Sequence, residues 1–252
     1  MINQFLTTLR LSLVEQKHNR FAMLLLLLYV PTWYAIIFAL TEHGSLGFNL
    51  RAFHIFVASS QQDLGLLTGM LNATTLIMGF VGLSVVRHSA AVDHRLVLCG
   101  HSRGALVLGR LVALALVSML VALYAVGVLA LFSPPRHFLV VAAGTFGAVL
   151  AYVAIGALAG TVTAGDLEGF FLIIMLSIVD TFLQNPSGNP AANKDIVEYF
   201  PSYLPMQIVV GGALTNRVAW WQFWASLGWS AGFGILGLIG FWYRTRTART
   251  HR

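Results

Sequence analysis

The chain has 252 residues, 58% of them hydrophobic and 10% charged, with a formal net charge of +6 and a mean hydropathy of +0.78. A soluble domain carries roughly 25% charged residues, so a chain this poor in charge cannot cover its own surface in water, and its main solvent is lipid. The positive balance then reads as membrane topology and attraction to anionic lipid, not as nucleic-acid binding.

Residues 2–18 place Ile2, Phe5, Leu6, Leu9 and Leu13 at helical spacing, with Asn3, Gln4, Thr7, Thr8 and Arg10 between them. That pattern predicts an amphipathic helix lying along the cytoplasmic membrane surface. A crossing needs about 20 apolar residues. Residues 21–40 supply the first such run, interrupted only by Pro31, and residues 64–86 the second. Residues 105–132 form the third, with Arg110 near one end where its stem can snorkel, and residues 138–163 the fourth. The fifth run is short: Phe170 to Leu183 gives only about 21 Å of helix, so it crosses only with an earlier start, over 167–184. Residues 185–216 are polar and proline-bearing, then apolar only from Ile208 to Leu214, which is too short to cross and reads as a re-entrant or outer-surface hairpin. Residues 220–243 form the last span, with Trp220, Trp221, Phe223 and Trp224 as an interfacial belt at its outer end.

The arginines orient this set. Arg10, Lys17 and Arg20, then Arg87, Arg95 and Arg103, then Arg244, Arg246, Arg249 and Arg252 fall on one side of a six-span chain. The positive-inside rule puts both termini and segment 87–104 in the cytoplasm. The expected fold is therefore an all-α protein of the cell membrane: six transmembrane helices, an N-terminal interfacial helix, and a re-entrant or outer hairpin between the fifth and sixth spans.

Four motifs ask for a chemical reading. Gly100-His101-Ser102-Arg103-Gly104 fits the G-x-S-x-G nucleophile elbow, but that device needs a preceding strand and a later acid and histidine. The chain shows no strand–helix alternation, and no histidine lies inside an apolar run, as an intramembrane serine protease would require. An integral membrane hydrolase is thus the weaker alternative to a transport role. His88, His94 and His101 share one loop with Asp93 and Cys99 but lack zinc-ligand spacing, so no metal is expected. Neither lysine, Lys17 or Lys194, follows a glycine as a Walker A loop demands, so any ATP chemistry belongs to another chain. Asp180 stands alone in the apolar run Phe171 to Phe182. Inside a membrane such a residue is a functional candidate, to be weighed against a wetted residue capping the next turn.

The ordered set resembles the membrane permeases of ABC exporters, ABC-2 class. The likeness rests on the amphipathic N-terminal helix and on Val86 to Arg110, with charged residues, the pair Leu96 and Leu98, a small turn, and Arg103 followed by Gly109-Arg110. It rests also on Phe200-Pro-Ser-Tyr-Leu-Pro-Met-Gln207 before the last span. Where many members carry Glu-x-Gly-Thr, this chain has Ser89 to Asp93. The resemblance implies a homodimer joined to two copies of an ABC ATPase, which bind the ATP and Mg, while this chain itself binds no cofactor. It implies that Val92 to Cys99 is a short coupling helix, with Asp93, His94, Arg95, Leu96 and Arg103 at the ATPase contact and Gly100 and Gly104 as turn glycines. The substrate path would run between protomers along the second and fifth spans, past Asn72, Met175, Asp180 and Phe182. The cargo would be hydrophobic or amphipathic.

Overall fold

The computed structural model describes residues 2–41, 44–185, 195–215, 218 and 220–247, which are almost all helical. Helix α1 spans Ile2–His18. The first apolar run follows as α2 (Arg20–Leu24), a π-helical turn (Leu25–Tyr29) and α3 (Val30–Leu40). Pro31 explains the widened turn: it has no N–H to give the carbonyl four residues back. That carbonyl, Leu27 O, instead accepts from the Tyr124 hydroxyl at 3.4 Å.

Next comes an antiparallel hairpin that an all-α expectation does not contain. Strands β1 (Ser45–Leu50) and β2 (Ile55–Ser60) pair from Ser45↔Ser60 to Leu50↔Ile55. His54 turns the corner in the left-handed region at φ 49°.

The remaining helices are α4 (Gln61–Leu98), α5 (Arg103–Phe132), α6 (Phe138–Val162), α7 (Asp166–Gln184), α8 (Tyr203–Leu214) and α9 (Trp220–Thr247). Among the described residues, four stretches are long and apolar enough to cross a membrane: Ala22–Leu40, Gln61–His88, Gly104–Phe132 and Phe138–Val162. They agree closely with the first four expected spans. Helix α7 takes the earlier of the two starts considered; its 19 residues reach roughly 28 Å. Helix α8 has 12 residues, about 18 Å, and is buried along most of its length.

Segment 87–104 differs from the expectation of a separate short helix. Helix α4 runs unbroken through 38 residues, roughly 57 Å, so Val92 to Leu98 continues the second span well past any bilayer core.

Helices α4 and α6 form the centre, and backbone meets backbone where they cross. A Cβ on Gly156 would lie 2.0 Å from Gly79 O, and one on Gly82 would lie 2.2 Å from Val153 O. Small residues permit such close approach between membrane helices, where packing and not water exclusion drives association. Buried Leu64, Met70, Leu71, Val141, Ala148 and Val209 fill the space toward the hairpin end.

Candidate functional site

The end of the bundle where α4 stops and α5 starts is built from short, specific contacts. Gly100 adopts φ +86°, and His101 N donates to Leu96 O at 3.0 Å. This is a Schellman stop, which calls for a left-handed residue and favours glycine. Two residues later Ser102 caps α5, its Oγ accepting from Ala105 N at 3.1 Å. The G-x-S-x-G string is therefore a helix stop followed by a helix start, with helix on both sides. Gly104, expected as a second turn glycine, sits inside the first turn of α5 with open space around it and needs no glycine.

Helix α1 lies across this turn. The Gln4 side chain brackets it: Nε2 donates to Gly100 O at 3.4 Å, and Oε1 accepts from Ser102 N at 3.4 Å. His101 Nε2 is 2.9 Å from Thr8 Oγ1 and 3.1 Å from Gln4 O. A carbonyl only accepts, so Nε2 carries the proton. Two turns further along α1, Glu15 faces Arg110 at 3.7 Å. The same end is tied to the α6–α7 link by Arg87, which donates to Thr163 O at 2.7 Å and pairs with Asp166 at 2.9 Å. Of the histidines in this segment, His88 turns to its own helix, 3.0 Å from Ser84 O, and His101 to α1.

Of the expected ATPase-contact residues, Arg95 is exposed and Leu96 half-buried on the last turn of α4. Asp93 and His94 have helical backbone there and Arg103 begins α5, but the side chains of these three lie outside the described residues. Gln4, Thr8 and His101 are partners that the sequence reading missed. The only signal for them was a threonine and a glutamine four residues apart on the polar side of α1.

The second polar cluster lies inside the bundle. Asp180 is 0% exposed. Its Oδ2 accepts from the Tyr152 hydroxyl at 2.8 Å and from Ser202 N at 3.1 Å, while Gln184 Nε2 approaches Oδ1 at 3.4 Å. The carboxylate thus joins α7 to α6 and to the N-terminus of α8, where the helix dipole favours an anion. It is fully buried and partnered, and the backbone N–H it accepts from among the described residues is that of Ser202. Within the same turn of α7, Asn72 Nδ2 donates to Thr181 Oγ1 at 2.8 Å and Thr75 lies 2.9 Å from Ser177. Met175 and Phe182 project from the opposite, exposed side of α7. The four expected path residues therefore divide: Asn72 and Asp180 bind the bundle together, and Met175 and Phe182 face outward.

This geometry makes a prediction about Asp180. Asp180→Ala orphans the buried Ser202 N–H and should cost about 1–3 kcal/mol, read as a lower unfolding temperature in detergent. Asp180→Asn retains an acceptor oxygen and should be milder; an Asp180→Asn protein as destabilised as Asp180→Ala would show that the charge, and not the Ser202 contact, holds this junction.

Over residues 58–243 the sequence matches the family described as ABC-2 family transporter protein. The chain belongs to that family. It is thus a multi-pass membrane permease of the ABC type, a transport subunit whose family works with an ABC ATPase. A comparison with curated proteins finds no match. Membership gives the Gly109-Arg110 pair a physical meaning in this ABC-2 permease. A Cβ at Gly109 would come within 2.8 Å of Thr8 Cβ, so glycine is what lets α1 reach α5, and Arg110 then meets Glu15.

Proposed function

We propose that this ABC-2 permease works as a homodimer in the cell membrane, joined to two ATPase chains that hold ATP and Mg. The dimer exports a hydrophobic or amphipathic molecule by alternating access. Helices α7 and α9 complete six spans, and both termini and the α4–α5 turn lie on the cytoplasmic side. Arg10, Lys17, Arg20, Arg87, Arg95 and Arg103 support that orientation.

One observation carries the coupling role: Gln4, Thr8 and His101 join α1 to the α4–α5 turn. A push delivered at either element then moves α4 and α5 as one body. The end of α4, with Asp93, His94, Arg95 and Leu96, receives that push together with Arg103. The substrate path runs between protomers along the outward face of α7, with Met175 and Phe182 on it. Asn72 and Asp180 hold that helix from behind.

Arg95 is the direct test, since it is exposed and forms no ion pair among the described residues. A basic side chain at the tip of a protruding helix suits a carboxylate on the ATPase. Losing one partner of such a pair costs about 2–5 kcal/mol. Arg95→Glu should therefore cut substrate-stimulated ATPase activity of the reconstituted complex at least tenfold. Full stimulation in the mutant, with the ATPase still bound, would remove this helix tip from the coupling path.

A further inference from the structure

Helix α1 leaves Leu6, Leu11 and Val14 exposed and Leu9 and Leu13 half-buried. The side it lays on α5 is small and polar: Thr8 and Ser12 are buried, Gln4 brackets the α4–α5 turn, and Glu15 faces Arg110. At 100° per residue the opposite side carries Leu6, Leu9, Arg10, Leu13, Val14 and Lys17, which together line one shallow groove. Leu6 is 53% exposed and Val14 45%. Arg10 and Lys17 stand in the middle of this stripe, two turns or about 10 Å apart. Both are exposed, and neither forms an ion pair among the described residues.

Connectivity sets the depth of this face. Only Asn19 separates α1 from α2, where the first apolar span begins. Helix α1 also crosses α5 at Gly109, five residues after the apolar stretch starts at Gly104, or about 7 Å along the axis. Interfacial helices sit about 5–10 Å into the boundary between headgroups and acyl chains. At that depth leucines enter the acyl region, while the long Arg10 and Lys17 stems run beside them and lift their charges to the phosphate level.

We propose that this face of α1 binds anionic phospholipid, its phosphate held by Arg10 and Lys17 and its acyl chains lying on Leu6, Leu9, Leu13 and Val14. The site is independent of the coupling contacts, which occupy the other side of the helix.

Cys99 is the sole cysteine, so a Cys99→Ser background accepts one label. Bimane attached through Val14→Cys would be followed in the full permease–ATPase complex, in phosphatidylcholine vesicles containing equal small fractions of brominated phosphatidylglycerol or brominated phosphatidylcholine. Leu120→Cys, on the 65% exposed outer side of α5, is the reference and should be quenched equally by both. At Val14→Cys the brominated phosphatidylglycerol should quench several-fold more strongly. That preference should shrink in Arg10→Gln and again in Lys17→Gln, each charge being worth up to about fivefold in affinity near an anionic surface. Equal quenching by the two lipids at Val14→Cys would overturn the anion site. No quenching there, with the reference intact, would overturn it by showing that protein and not lipid covers this face.

Discussion

Gly156→Leu should leave almost no folded permease in the membrane. The added Cβ alone would sit 2.0 Å from Gly79 O, 2.8 Å from Gly79 C and 3.0 Å from Leu83 N. All three atoms are backbone, so no side chain can swing away, and α4 and α6 must separate along their crossing. Ordinary overpacking of a core costs about 1–3 kcal/mol. Here the central pair of the bundle parts, and the cost should exceed that range, a large share of the 5–15 kcal/mol that holds a typical fold. Gly127→Leu is the control, because nothing among the described residues lies within 4 Å of a Cβ there. Monodisperse yield and unfolding temperature in detergent decide the matter. A Gly156→Leu protein as stable as the Gly127→Leu control would mean that α4 and α6 do not cross this closely.

Gly109→Leu should act differently, abolishing coupling while sparing the bundle. Its Cβ would meet Thr8 Cβ at 2.8 Å, Thr8 Cγ2 at 2.9 Å and Leu9 N at 3.2 Å, and the rest of the leucine would push further. Helix α1 is the part that yields, because it is peripheral and its inner face holds few apolar contacts. Once lifted, it loses the Gln4 bracket on Gly100 and Ser102 and the Thr8–His101 contact. Substrate-stimulated ATPase activity should drop tenfold or more, with the unfolding temperature changed by only a few degrees. Gly109→Ala should fall between, since its lone methyl displaces α1 less than a leucine does. Normal stimulation in Gly109→Leu would show that α1 need not rest on α5 for coupling.

Much of the fold was legible because lipid imposes long uninterrupted apolar runs. The first four apolar runs could be read in the sequence, and each coincides with a helical stretch long enough to cross. The continuity of α4 had a signal as well: Leu83 to Cys99 contains neither glycine nor proline, so nothing in it stops a helix. Its charges suggested a boundary, yet they mark only where the helix leaves lipid. The hairpin was likewise present in the alternation of Leu46, Phe48 and Leu50, but six-residue strands between long spans are easily overlooked. The site was less accessible. Gly100 and Ser102 act within a few residues of themselves and could be read as a turn. Asp180 could be singled out, but its partners Tyr152 and Ser202 lie 28 and 22 residues away. Their meeting depends on how α6, α7 and α8 pack, which no local pattern encodes.

The unbroken length of α4 has a mechanical consequence. It is gripped near its middle, where Gly79 and Gly82 touch the backbone of α6, and it is a stiff rod on either side of that grip. Its far end is fastened to the hairpin region, with Gln61 N donating to Gly44 O at 2.8 Å and Asp63 accepting from Ser133 at 2.6 Å. From Gly82 one arm extends about 24 Å to Leu98 and the other about 32 Å to Gln61. A rod held this way is a lever with its fulcrum in the core. A tilt of about 5° moves Leu98 by about 2 Å and Gln61 by about 3 Å in the opposite direction. Displacement of the helix tip thus appears, slightly magnified, at the hairpin on the other side of the bilayer, with no intermediate element to bend or unfold.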